Sequence, residues 1–182
     1  KIIIFSRDEL KQFEMQKKFS EKELKKLRFF LGDIRDKDRL KMAFFEVDYI
    51  IHAASPVDPA LYLHEPMQAM EDIANGTSAV LNYASHGNVK ALLYISSGAA
   101  YGRQSVEVDT LVEDSLSAPD LTVSTSCYGE AKRYAELLCR VSGVPSIITR
   151  LFAFIGPYQD QNGSFAVPDF IRQATVNKSI RI

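Results

Sequence analysis

Five short apolar runs, each separated from the next by polar stretches with helical spacing, limit what this chain can fold into. Residues 1–5 (Lys-Ile-Ile-Ile-Phe), 27–31 (Leu-Arg-Phe-Phe-Leu), 47–52 (Val-Asp-Tyr-Ile-Ile-His), 91–95 (Ala-Leu-Leu-Tyr-Ile) and 146–152 (Ser-Ile-Ile-Thr-Arg-Leu-Phe) are of strand length and rich in aliphatic side chains. Runs this continuous belong to strands buried on both faces, as in parallel sheets covered by helices. The intervening segments supply those helices. Asp8 is a candidate N-cap ahead of Leu10, Phe13, Met15 and Phe19, and a second helix is expected over 36–45. From 65 to 84 the residues Met70, Ile73, Ala74, Val80, Leu81 and Ala84 recur at helical spacing behind Pro66, which suits a first turn. The βαβαβ rhythm predicts an α/β fold with a doubly wound parallel sheet.

Chemistry concentrates around Ser126-Cys-Tyr128-Gly-Glu-Ala-Lys132, at the start of a helical run whose apolar stripe reads Ala131, Tyr134, Leu138 and Val141. Residues four apart share a helix face, so the Lys132 ammonium can sit beside the Tyr128 phenol. A phenol is a poor base near neutral pH, and a neighbouring cation favours its ionised form. Tyr-x-x-x-Lys alone also fits an ordinary helix face. The strand over 91–95 adds to it, because it ends in Ser96-Ser97-Gly98-Ala99-Ala100-Tyr101, and open α/β sheets place their sites at the carboxyl ends of strands.

Ser97, Tyr128 and Lys132 together resemble the triad of the extended short-chain dehydrogenase/reductase family, the nucleotide-sugar epimerases, dehydratases and reductases. The resemblance implies a Rossmann-like fold with Tyr128 as general base or acid. Ser97 would orient a substrate hydroxyl, and Lys132 would also hold the nicotinamide ribose. Residues 2–54, with Ser-Arg-Asp-Glu, Gly-Asp-Ile-Arg-Asp and His-Ala-Ala in register, resemble the inverting nucleotide-sugar 4,6-dehydratases, and the remainder an epimerase-like group. In that likeness Ser6 and Arg7 flank the adenosine ribose, Asp33 and Ile34 meet the adenine, and Ala53, Ala54 and Ser55 line the cofactor near its phosphates. Arg7 favours NADP over NAD, since a guanidinium suits a 2′-phosphate; the alternative is a solvated loop arginine beside Asp8 and Glu9. Phe152 and the segment through Gly156-Pro157-Tyr158 resemble the family's Arg-x-x-Asn-Val-Tyr-Gly-Pro stretch, which passes the nicotinamide. Ala153 stands where the family has Asn. Phe165 to Phe170 resembles its nucleotide-facing segment, and 180–182 reads as a strand start.

The resemblance also implies a reaction. The leading reading is an NAD(P)-dependent epimerase or reductase of a nucleoside-diphosphate sugar, with Tyr128-assisted hydride transfer at a sugar carbon, expected to be C4. A 4,6-dehydratase is the alternative, but Gly98 and Ala99 occupy the positions of its added acid and base and carry no proton. A catalytically silent dinucleotide-binding or interaction module is a third reading. No glycine-rich phosphate loop occurs in the sequence, although a dinucleotide pyrophosphate needs one at a helix N-terminus. The first apolar run already resembles the family's second strand. The sheet is therefore expected to lack its first strand and glycine-rich loop, with residues 1–160 the dinucleotide-binding domain without its first βα unit and 161–182 the start of a substrate region. In the strand order 3-2-1-4-5-6 the first strand joins the two halves. The chain accordingly reads as the middle portion of a longer enzyme.

Composition excludes little else. The formal net charge is -1, which supplies no electrostatic argument for nucleic acid or membrane, and no apolar run approaches the ~20 residues of a spanning helix. Residues 1–46 hold 13 of the 22 Lys+Arg and 9 of the 23 Asp+Glu. Solvated helix faces explain this, and so would a junction between segments of different ancestry. Cys127 and Cys139 suggest no disulfide, and His52, His64 and His86 lack metal-ligand spacing. A cytoplasmic homodimer is expected, because the family commonly pairs the helices over 65–84 and 126–141 in a four-helix bundle.

Overall fold

The computed structural model describes residues 1–56, 59–153, 156 and 166–176. Strand β1 (Ile2–Ser6) pairs in parallel with β2 (Leu27–Leu31), from Ile2 opposite Leu27 to Ser6 opposite Leu31. Helices α1 (Glu9–Gln16) and α2 (Glu21–Leu24) make the crossover. Asp8 caps α1 by accepting from Lys11 N at 2.9 Å, and Asp36 caps α3 (Lys37–Ala43). Strand β3 (Tyr49–His52) pairs in parallel with β4 (Ala91–Ser97) across α4 (Pro59–His64) and α5 (Pro66–His86). After a 3₁₀ turn (Gly98–Tyr101) and a long loop come α6 (Ser126–Val141) and β5 (Ser146–Leu151), and β4 lies between β3 and β5. All five runs expected to be strands are strands.

Among the described residues β1 does not pair with β3, so the strands form two sheets, β1–β2 and β3–β4–β5. The division falls where the expected order places its central strand. A cavity of about 520 Å³ borders both carboxyl ends, touching Phe5 and Ser6 of β1 and Ile51 and His52 of β3.

The core belongs to the second sheet. Leu92 and Tyr94 of β4 alternate inward and are almost wholly buried against Ile73, Val80 and Leu81 of α5 and Ala131, Ala135 and Cys139 of α6. Full burial of a side chain of Leu size stabilises by about 1.5–3 kcal/mol. Small residues line α6 on this face and let it lie close to its neighbours. The expected stripe is therefore rotated: Ala131 and the partly buried Leu138 face inward, whereas Tyr134 and Val141 are exposed. Met70 is likewise exposed on α5.

In α1 the expected apolar set also turns outward, leaving Leu10, Phe13 and Met15 exposed and Gln12 buried. The Gln12 amide donates to the carbonyls of Ser6 at 3.1 Å and Phe30 at 2.9 Å, so a polar side chain satisfies backbone acceptors at the ends of both strands. Cys127 and Cys139 are free and buried. No helix among the described residues is long and apolar enough to cross a membrane, and no cluster of metal-ligating side chains occurs among them.

By its internal contacts the chain divides into residues Lys1–Arg150 and Leu151–Ile182. The second unit contains α7 (Ala166–Val176), where Asp169 accepts from Arg172 and from Gln173. Pro157, Tyr158, Phe165 and the strand expected at 180–182 lie outside the described residues.

Candidate active site

Tyr128 and Lys132 occupy the first turns of α6, which packs along β4 and the 3₁₀ turn after it. Lys132 is buried, and its ammonium donates to Ile95 O of β4 at 3.0 Å. It stands 5.8 Å from the centroid of the Tyr128 ring and 5.3 Å from that of Tyr94. Burial lowers its pKa to about 8, against the raising field of Glu136 one turn further along α6. Ser97, at the end of β4, accepts through Oγ from Ala99 N at 3.2 Å. The helix is seated on this turn at Gly129, where a Cβ would stand 2.7 Å from Ala99 O. All three expected catalytic residues thus gather at the carboxyl end of one buried strand, where a strand terminus, a tight turn and a helix start converge.

Two further side chains pack around these residues. Tyr62 of α4 lays its ring 4.8 Å from that of Tyr128, centroid to centroid, and donates to Pro56 O at 2.6 Å. Burial pushes its pKa up to about 12. His52 is buried beneath, 3.1 Å from Thr77 Oγ1, and burial together with the Lys132 charge pushes its pKa down to about 4.

The expected adenosine-side residues line the cavity beside β1 and β3: Ser6, Arg7, Asp33, Ile34, Ala53, Ala54 and Ser55 all border it. Ser6 Oγ accepts from Asp8 N at 3.1 Å, which shapes the turn after β1. Asp33 is gripped by a two-pronged Arg35 guanidinium at 2.9 and 2.8 Å, while Arg35 also donates to Asp72 at 2.6 Å. The hydrogen bonds from Arg35 hold the Asp33 carboxyl below its usual pKa. Arg7 is exposed, with one guanidinium nitrogen 3.8 Å from Asp33. The cavity therefore carries Arg7, Lys11 and Arg35 among three aspartates, Asp8, Asp33 and Asp72, with Lys11 paired to Asp8 at 3.3 Å. Its lining suits the adenosine end of a dinucleotide, with an apolar side chain at Ile34 and polar groups beside it. Gly32 is the one glycine in that lining, so among the described residues no glycine-rich turn at a helix N-terminus is there to cradle a pyrophosphate. Lys132 does not line this cavity, and Phe152 is an exposed residue of the second unit.

The model of the NAD dependent epimerase/dehydratase family matches residues 9–182. The chain belongs to this family. It is 37% identical over 159 residues to the inverting UDP-N-acetylglucosamine 4,6-dehydratase of Campylobacter jejuni, covering 84% of this chain and 46% of that protein. It is 30% identical over 149 residues to UDP-glucuronic acid decarboxylase 1 of Xenopus tropicalis, covering 80% of this chain and 35% of the other. A solved structure of dTDP-glucose 4,6-dehydratase from Streptomyces venezuelae, with NAD bound, superposes with a TM-score of 0.75 at 24% identity, covering 95% of this chain and 52% of that one. At that identity the likeness establishes the fold: these residues form part of a Rossmann-like domain, and this family member spans between about a third and a half of the length of the proteins named here.

Proposed function

We propose that this protein acts on a nucleoside-diphosphate sugar as an NAD(P)-dependent epimerase or reductase. The reading is carried by the meeting of Ser97, Tyr128 and Lys132 at the end of β4, with the Lys132 ammonium tied to Ile95 O one helical turn from the Tyr128 ring. A bound nicotinamide supplies the hydride acceptor and donor. Tyr128 takes the proton of the sugar hydroxyl, at C4, as the carbon is oxidised, and returns it when the ketone is reduced. Ser97 holds the same hydroxyl in line. Gly98 and Ala99 form the turn where elimination of water would call for an acid and a base, so the reading stops short of a 4,6-dehydratase.

On the cofactor side, Arg7 beside Asp33 and Lys11 beside Asp8 bring two cations to the cavity, and we assign a preference for NADP. Residues 161–182 begin the substrate region in this reading, and the protein is cytoplasmic. Exposed Met67 of α5 and Tyr134, Leu137 and Val141 of α6 support pairing of these helices with those of a second copy. A monomeric sedimentation coefficient at micromolar concentration counts against that dimer.

The test is Tyr128→Phe. Incubation with NAD or NADP and, in turn, UDP-glucose, UDP-N-acetylglucosamine and UDP-glucuronate is followed by near-ultraviolet absorbance and by product NMR. Loss of the hydroxyl should lower turnover ~10² to 10⁴-fold and leave dinucleotide binding unchanged. Retention of more than about half the activity removes Tyr128 from the mechanism. Dinucleotide binding without turnover of any sugar nucleotide would favour a silent binding module.

A further inference from the structure

Behind the site, on the side of β4 away from Ser97, lies a buried ionic junction. Glu136 of α6 is almost fully buried, and three contacts converge on its carboxylate. Ser96 donates to Oε1 at 2.5 Å, and Arg150 of β5 donates through Nε to Oε1 at 2.9 Å and through Nη2 to Oε2 at 2.7 Å. The remaining terminal nitrogen of Arg150, Nη1, donates to the carbonyl of Glu113 in the loop before α6 at 2.8 Å. The guanidinium carbon stands over the Tyr101 ring, 4.7 Å from its centroid. Burial raises the Glu136 pKa, but the bonds from Arg150 and Ser96 outweigh it and leave the carboxyl below its ordinary value.

Each arm of this junction ends beside a part of the site. Ser96 precedes Ser97 in β4, Glu136 lies one helical turn beyond Lys132, Tyr101 closes the turn on which Gly129 rests, and Glu113 belongs to the loop that leads into α6. We propose that Glu136 and Arg150, acting through Ser96 and Tyr101, are positioning residues that fix the distance between the Ser97 hydroxyl and the Tyr128 phenol. An ordinary buried ion pair would join two elements; this one joins β4, β5 and α6 at a single carboxylate and reaches the loop through the same guanidinium. Arginine is needed because one planar fork satisfies two carboxylate oxygens and still reaches the Glu113 carbonyl, which a lysine cannot do. The proposal rests on the triad reading above.

The test compares Tyr128→Phe, Ser96→Ala, Arg150→Met and Arg150→Lys in the full protein, each checked for a cooperative melt. Misplacement of a reacting group by about 1 Å can cost ~10²-fold. Ser96→Ala removes one oxygen and leaves the ion pair whole; it should lower kcat about tenfold while KM for the sugar nucleotide and Kd for the dinucleotide stay within about twofold. Arg150→Met should lower kcat ~10²-fold, and Arg150→Lys, which keeps the charge, should recover part of that loss. If Tyr128→Phe is inactive while Ser96→Ala and both Arg150 variants keep kcat within about twofold of the parent, the positioning role is refuted and the triad stands. Should Arg150→Met fail to fold, Ser96→Ala decides alone. If Tyr128→Phe stays active, the triad fails on its own evidence. A rise in KM with kcat unchanged would make the junction a binding or stability element and overturn the proposal.

Discussion

Gly129 lies so close to Ala99 that a Cβ on the glycine would stand 2.7 Å from the alanine carbonyl oxygen. That oxygen belongs to the turn carrying Ser97, so the contact sets how near α6 comes to the end of β4. Gly129→Ala should push the helix away and cost about 1–3 kcal/mol through overpacking, less the roughly 0.5–1 kcal/mol that Ala gains over Gly in a helix. Turnover should fall more than stability does. Paired thermal melts and kcat measurements check this, and unchanged kcat in a destabilised variant would separate the helix seat from the chemistry.

Gly76 of α5, the helix packed beside α6, plays a similar part towards Ile34, whose Cδ1 occupies the space a Cβ would need. Gly76→Ala should drive Ile34 towards the cavity it lines. If about 1 kcal/mol of the resulting strain is met by a ligand there, the dinucleotide Kd rises about fivefold. Titration calorimetry of the variant with NADP and NAD measures it.

Arg7→Ala should weaken NADP by about tenfold or more and leave NAD nearly unchanged, since only NADP offers a phosphate to the guanidinium. The 3.8 Å approach to Asp33 is too long and too exposed to hold the fold together. Equal losses for both dinucleotides would make Arg7 a structural residue.

His52 should make the fold sensitive to mild acid. Its pKa is pushed from 6.5 down to about 4 by burial and by Lys132, with Thr77 and Tyr94 packed around it. The unfolded chain therefore binds more protons between those values. Stability from the neutral ring is fully present above about pH 6.5 and falls as pH drops towards 4, by about 3 kcal/mol in all. Urea unfolding at pH 7 and pH 5 should show a loss about 2 kcal/mol larger for the parent than for His52→Gln. Equal losses would mean the ring takes up its proton at the same pH in the fold as in the unfolded chain.

Much of this was readable before any coordinates, for particular reasons. Consecutive aliphatic residues mark strands, although Ile2, Tyr49, Ile51 and Ile147 leave these strands open on one side rather than buried on both faces. Tyr128 and Lys132 share a helix face by spacing alone, so strands, crossovers and the pairing of these two residues were legible. The orientation of α1 was not. Its apolar residues suggest an inward face, but the carbonyls of Ser6 and Phe30 need a donor, and Gln12 turns inward to supply it. Nor could spacing join Ser96, Glu136 and Arg150, which are 40 and 14 residues apart and meet only because β4, α6 and β5 pack together.

The division between the two sheets also implies uneven cooperativity. No residue of β1 or β2 is fully buried, whereas Leu92, Tyr94, Ala135 and Cys139 sit in one continuous core. Segments with few buried apolar contacts open at a lower free energy than the whole molecule. Amide protons of β1 and β2 should therefore exchange with solvent through partial opening, while those of β4 wait for global unfolding. A protease should cut first near α2, leaving the β3–β4–β5 half with its Tyr128 helix intact.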